Sequence, residues 1–311
     1  MFVYRGNASC AFMKDVALKI SEERIIMILY DCHMHTDYSD DSEEKMEEQV
    51  KGSIEKGLKG ICITDHMDYE FPDSEKYNLV FEYDVDKNYK EIDGLRIRYP
   101  EIEILKGIEL GLRNEPGVAE RTKARYKELL SRGDIDFVIG STHCLEYSDP
   151  YRPEYWAGKT VKEGLRTFFI ATLENIRNND YVDTLGHLDY AARYARKESM
   201  EERVFDGRDE YIEGDNGDVV DEILKFIIDR GIALEINSAG LKYGLGYAHP
   251  RGWILKRYKE LGGELITVGA DAHKRIHIAY AFDEVAKILE CAGFKYYTVY
   301  RARKPYMYPI D

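Results

Sequence analysis

The stretch Asp31-Cys32-His33-Met34-His35-Thr36-Asp37-Tyr38-Ser39-Asp40-Asp41-Ser42 decides how the rest of this 311-residue chain is read. The apolar run Ile28-Leu29-Tyr30 leads into it as a strand entering a core would. Side chains alternate between the two faces of a strand, so His33 and His35 point the same way. Two imidazoles on one face, followed by a polar loop with Asp40 and Asp41, can chelate a divalent metal. Taken alone, the pair reads equally well as two ordinary histidines.

Similar strand ends recur downstream. Ile61-Cys62-Ile63-Thr64 closes on Asp65-His66, Ile102–Ile108 on Glu109, and Ile135–Thr142 on His143. Val182–Gly186 closes on His187, Ile232–Ile236 on Asn237, and Leu265–Ala270 on Asp271-Ala272-His273. Between the strands, apolar residues fall at helical spacing, as with Met46, Val50, Ile54 and Leu58. This periodicity predicts helices over 43–57, 80–98, 118–132, 160–178, 219–230, 252–262 and 281–293. Segments 67–73 and 144–158 read as loops over the strand ends, 196–217 as a charged surface excursion, and 296–300 as a terminal extended stretch. Strand-then-helix units repeated seven times imply a parallel sheet with right-handed crossovers. An open sheet would gather its ligands at one switch point, whereas polar residues end nearly every strand here, as at the mouth of a closed barrel.

The composition, 44% hydrophobic and 33% charged, suits one large domain. No apolar run reaches the roughly 20 residues needed to span a bilayer, and the N-terminus carries no continuous apolar signal. Cys10, Cys32, Cys62, Cys144 and Cys291 show no paired spacing, so a reduced, cytoplasmic protein is expected. The net charge of −14 disfavours nucleic acid as a partner. Met27 looks like a natural start, so residues 1–26 are expected to be an N-terminal extension or a start-site artefact before a domain spanning 27–311.

Six of the eight histidines (33, 35, 66, 143, 187 and 273) sit at strand ends, and only His249 and His277 do not. Six converging neutral imidazoles with no ion to bind would be hard to satisfy. With Asp41, Glu109 and Asp271 they make nine donors, enough for two or three divalent ions. Such sites activate water and clamp the oxygens of a displacement, which suits phosphoester hydrolysis best, although amide and ester hydrolysis remain open. No nucleophile elbow, P-loop or dinucleotide turn competes. Asp40 and Asp41 also read as a helix N-cap before Ser42-Glu43-Glu44.

At these residues a family resemblance emerges. His33-x-His35-Thr36-x-Tyr38-Ser39, Thr64-Asp65-His66, Gly107-Ile108-Glu109, Ser141-Thr142-His143, Gly186-His187-Leu188-Asp189 and Gly269-Ala270-Asp271-Ala272-His273 resemble the motif series of the PHP (polymerase and histidinol phosphatase) superfamily. The segment from Gly186 to Tyr194 is most similar to its stand-alone histidinol-phosphatases. The resemblance implies a distorted, TIM-like (β/α)7 barrel with a trinuclear site of Zn, Fe or Mn. It also implies hydrolysis of L-histidinol phosphate, a step of histidine biosynthesis, by a metal-bridging hydroxide. By motif, His33, His35, Asp271 and Glu109 would hold one ion. Glu109 would bridge to a second, held by His143 and His187, and Asp41, His66 and His273 would hold a third. The family often has a histidine where Asp41 stands. Arg193 would bind phosphate with its planar fork or else form a surface salt bridge. Asp65 and Asp189 would protonate the leaving alcohol or orient histidines. The loops 69–77 and 147–156, rich in acids and aromatics, could seat a cationic imidazole and amine. Competing readings are a PHP phosphoesterase of another small ester or nucleotide, and a metal-binding accessory module whose catalysis has lapsed.

Overall fold

The computed structural model describes residues 28–72, 79–195 and 213–310, so the expected extension over 1–26 lies outside the described residues. Eight strands make one parallel sheet: β1 (Tyr30–Met34), β2 (Gly60–Ile63), β3 (His66–Met67), β4 (Glu103–Gly111), β5 (Phe137–Ser141), β6 (Thr184–Leu185), β7 (Ala233–Asn237) and β8 (Ile266–Gly269). The pairing order is β1-β2-β4-β5-β6-β7-β8, with the short β3 beside β4. Closure comes where β8 returns to β1. The Asp271 N–H donates to the His33 carbonyl at 2.8 Å, the His35 N–H donates to the Ala272 carbonyl at 3.1 Å, and Met34 bridges Ala272 in parallel. Buried Asp31 stitches the same seam, its two oxygens accepting the N–H groups of Ala270 and Ala279 at 2.9 Å. The fold is a distorted, TIM-like (β/α)7 barrel in a single domain.

Helices α1 (Met46–Glu55), α2 (Val85–Arg98), α3 (Val118–Leu130), α4 (Pro153–Trp156) and α5 (Val161–Asn178) cover one part of the barrel. They are followed by α6 (Glu213–Arg230), α7 (Ala239–Lys242), α8 (Gly252–Glu260) and α9 (Phe282–Cys291). Local chemistry sets their ends. The Asp84 carboxylate accepts the Lys87 N–H at 3.1 Å, so α2 starts at Val85 instead of residue 80. Thr160 and Glu163 form a capping box that opens α5 where the pattern placed it. By contrast, α1 starts only at Met46 with Lys45 in the capping position, so neither Asp40 nor Asp41 caps it. Asp40 instead accepts the Val80 N–H at 2.6 Å. α6 begins at Glu213, taking in residues expected to be part of the surface excursion.

Beneath the barrel lies an antiparallel hairpin, β9 (Tyr296–Arg301) and β10 (Lys304–Pro309). Its turn, Ala302-Arg303, has φ of +47° and +64° without any glycine. Asp136 holds it, accepting the Ala302 N–H on its carboxylate and the Arg303 N–H on its carbonyl, both at 3.0 Å. Arg303 pairs with Asp183 and Arg301 with Glu103. These carboxylates stand at the starts of β5, β6 and β4, so the hairpin plugs the N-terminal end of the barrel. An extended stretch was expected up to residue 300, whereas β10 was not, because the usual turn residues are missing.

Candidate metal centre

At the opposite, C-terminal end the strands deliver imidazoles and carboxylates to one point. His33 is the penultimate residue of β1 and His35 lies just beyond its end, and their Nε2 atoms lie 3.1 Å apart. Glu235, on β7, takes the His33 Nδ1 at 2.6 Å, which leaves Nε2 for the centre. A second Glu235 oxygen accepts the His187 N–H at 2.8 Å, so this buried carboxylate ties β1 to the end of β6. The pairing needs a close approach of β8 to β1. A Cβ on Gly269 would lie 2.3 Å from the His33 Cβ and 2.8 Å from the Glu235 Oε1.

Glu109, near the end of β4, is the hub. Its Oε2 is 3.2 Å from the His33 Nε2, 3.5 Å from the His35 Nε2 and 3.1 Å from the His66 Nδ1. Its Oε1 accepts the Ser141 hydroxyl at 2.6 Å and lies 3.2 Å from the His143 Nε2 and 3.0 Å from the His187 Nε2. Asp271, in the left-handed region at φ +51°, brings Oδ1 within 3.3 Å of the His35 Nε2 and 3.8 Å of the His33 Nε2. On the open side, the Asp41 Oδ2 lies 3.0 Å from the His273 Nε2 and 3.6 Å from the His66 Nε2. All nine residues expected as ligands therefore meet at one mouth. Asp68 joins them, taking the His143 Nδ1 at 2.6 Å.

The electrostatics are those of a nest built for cations. Burial alone would push the Glu109 carboxyl up, but His33, His143 and His66 outweigh it and hold it well below the usual carboxylate range. Burial disfavours the His143 imidazolium, yet Asp68 and Glu109 push it to about 10. His35 goes the other way, lowered by burial and by its neighbours His66 and His273. Two buried atoms test the fit to a metal. The His66 Nδ1 and the Glu109 Oε2 lie 3.1 Å apart, and neither makes a hydrogen bond among the described residues. Lone pairs that converge without bonding suit a shared cation, and donors of this kind form four compact sets: His33/His35/Asp271, His35/His66/His273, His66/Asp68/His143 and Glu109/His143/His187.

The residues expected as acids lie elsewhere. Asp65 is wholly buried and accepts four bonds, from the Thr36 N–H and hydroxyl, the Ser39 hydroxyl and the Asn88 amide. It braces the loop after β1 and does not line the mouth. Asp189 also turns away. Its Oδ1 holds the His249 Nδ1 at 2.6 Å and its Oδ2 accepts the Arg251 N–H at 3.2 Å. It does orient a histidine, though one outside the strand-end set. Arg193 does line the mouth, stacked 3.3 Å over Tyr243 and held charged in part by Asp271. Lys242 and Lys274 line it too. The mouth opens into a cavity of about 400 Å³ whose wall includes Phe71, Phe81, Asp149 and Tyr190.

Asp68, Glu235 and Lys242 escaped the sequence reading. A usable signal existed for Glu235, since a carboxylate inside the otherwise apolar Ala233-Leu234-Glu235-Ile236 strand needs a buried partner.

A barrel whose C-terminal mouth concentrates imidazoles and carboxylates beside cationic side chains defines a class, the metal-centred barrel hydrolases. The chain belongs to the PHP domain family, whose model matches residues 31–239. It is 34% identical over 270 residues to a Clostridium acetobutylicum protein named probable histidinol-phosphatase, covering 86% of this chain and 95% of that one. A Lactococcus lactis histidinol-phosphate phosphatase, solved with zinc, L-histidinol and phosphate, superposes with a TM-score of 0.75 at 28% identity. That match covers 89% of this chain and 98% of the other. A Listeria monocytogenes chain at 22% identity and TM-score 0.64 shares the fold.

Proposed function

We propose that the chain is a metal-dependent phosphomonoesterase that converts L-histidinol phosphate to L-histidinol and phosphate. The observation that carries this reading is that the ligand nest and the three cations Arg193, Lys242 and Lys274 face one cavity. The Clostridium and Lactococcus relatives, named for this reaction, support the substrate. The donor sets have room for two or three ions, with Glu109 between the His33/His35 and His143/His187 groups. Zinc in the Lactococcus structure favours zinc here, with iron or manganese as substitutes.

Bound divalent ions supply Lewis acidity, activating water and drawing charge from the phosphoryl oxygens. The protein's own groups do the rest. Tyr243 carries the Arg193 guanidinium on its face and frees its fork for two phosphate oxygens. Lys242 is anchored through its Nζ to the Asp271 carbonyl at 2.9 Å, which sets a second cation beside a ligand. Glu235 and Asp68 fix the rings of His33 and His143 through their Nδ1 atoms. Asp65 and Asp189 are structural in this scheme, so the leaving alcohol takes its proton from solvent in the mouth. A cytoplasmic location and an enzyme domain over 27–311 complete the reading.

The test is phosphate release from L-histidinol phosphate against a panel of other monoesters, on enzyme of measured metal content. A preference of about two orders of magnitude, lost in His143→Ala, is expected. Equal, weak turnover of the whole panel by fully loaded enzyme would refute the substrate.

A further inference from the structure

Four carboxylates of the mouth, Asp41, Asp68, Glu109 and Asp271, are engaged with imidazoles. Asp149 is a fifth, and among the described residues it makes no hydrogen bond or ion pair to an imidazole, His143 acting on it only through the field. It sits in the loop between β5 and α4. Its Oδ1 accepts the Tyr151 N–H at 2.8 Å and the Tyr190 hydroxyl at 3.3 Å. Its Oδ2 has no hydrogen-bond partner among the described residues, and the side chain lines the cavity. Tyr190 links it to the metal nest, its ring packing 5.2 Å from His187 and 6.0 Å from His143. The hydroxyl end thus leads away from the nest to Asp149. The same cavity is lined by two aromatic rings, Phe71 and Phe81, 4.7 Å apart and edge-on, with Phe81 also edge-on to His66. The cavity therefore carries both signs of charge. Arg193, Lys242 and Lys274 provide cations for an anion, while Asp149 offers a carboxylate in a cavity that also holds apolar ring surface.

From this layout we infer that Asp149 is the specificity residue for the leaving alcohol. Its free oxygen binds a positively charged nitrogen of that alcohol, an ammonium or imidazolium, while Phe71 and Phe81 cover the apolar part. The inference rests on the phosphomonoesterase reading and deepens it, because it says which esters the mouth selects. A turn-making role would use only Oδ1, and asparagine would fill it equally well. The charge is surplus to the turn. Burial pushes this carboxyl up to about 6, against the opposing pull of the Tyr151 N–H, His143, the Tyr190 hydroxyl and Arg152.

The Asp149→Asn variant, which keeps the turn and removes the charge, separates the two roles. kcat/KM is measured on metal-loaded wild type and variant for three phosphate esters. One carries only an amine (2-aminoethyl phosphate), one only an imidazole (an imidazolylpropyl phosphate), and one is neutral (propyl phosphate). The ratio of cationic to neutral ester is expected to fall about 50-fold in the variant, mainly through KM, for whichever cation Asp149 holds. Asp149→Glu should restore part of that ratio. An unchanged ratio, or equal losses on all three esters, would overturn the assignment. L-histidinol binding by calorimetry gives an independent readout: wild type binds, and Asp149→Asn binds about tenfold or more weakly. If wild type hydrolyses no monoester, the functional reading fails, while the calorimetry still decides whether Asp149 holds the cation. Equal L-histidinol affinity in both proteins would reject it.

Discussion

Both ends of this barrel hold carboxylates, and they compensate them differently. At the floor, each acid has an arginine of its own: Asp183 has Arg303, Glu103 has Arg301, and Asp136 has Arg96 at 3.1 Å. At the mouth, the acids have imidazoles instead, and Glu109 alone lies within 3.5 Å of five of them. A guanidinium is permanently charged, so the floor is a finished structure. An imidazole exchanges its proton for a metal, so the mouth is a receptor. The same fold thus uses paired charge for stability at one end and for chemistry at the other.

The contrast breaks first at Glu109. Glu109→Gln should lower kcat/KM by about 10³-fold, some 4 kcal/mol of lost transition-state stabilisation, and should reduce the metal count seen by mass spectrometry. Full metal content with near-normal turnover would show that Glu109 is not the hub. At the floor, Arg303→Ala leaves the buried Asp183 carboxylate unpaired and should cost about 3 kcal/mol in urea unfolding. Because it lies at the far end from the mouth, its turnover per bound metal should stay within about twofold of wild type. A stability loss below measurement, or a collapse of turnover in folded protein, would dissolve the distinction between the two ends.

Glu235→Gln probes the support behind the ligands. It should weaken metal affinity about 10- to 100-fold while leaving the fold intact, as competition with a chelator would reveal. Metal loading should also release protons, because Asp68 and Glu109 hold His143 protonated up to about 10, and a ligating imidazole must be neutral. Calorimetry in buffers of different ionisation enthalpy counts those protons, and a count near zero at pH 7 would contradict the cationic nest.

The smallest effect concerns pH. With Asp149 pushed up to about 6 by burial, the folded chain keeps a proton between the usual carboxylate range and pH 6 that the unfolded chain has released. Its contribution to stability therefore falls as pH rises through that window. Its use to a cationic ester changes in the opposite sense. The ratio of kcat/KM for aminoethyl over propyl phosphate, corrected for the separately titrated phosphate ionisation of each ester, should rise a few-fold as pH passes 6. In Asp149→Asn that rise should vanish, and its persistence would place the titrating group elsewhere.

The strand ends were legible because two rules act locally: a two-residue period puts His33 and His35 on one face, and a parallel barrel collects every strand end at one mouth. Tertiary pairing was less legible. Asp65 and Asp189 stand beside motif histidines and look like acids, yet their partners, Asn88 and His249, come from distant segments. Glu235 resembles an ordinary strand residue until His33 is packed against it. β10 was hidden because Ala302 and Arg303 adopt left-handed backbone only while Asp136 accepts their N–H groups, a contact spanning more than 160 residues.

The floor hairpin has a consequence for synthesis. All eight barrel strands precede Tyr296 and leave the ribosome before it, and chains generally fold from the N-terminal side as they emerge. The Leu29 N–H, which donates to the Tyr297 hydroxyl, and the acids Glu103 and Asp183 must therefore wait for their partners while the wall assembles. Nascent barrels thus pass through a stage open at the base, when chaperones would find the unsealed end.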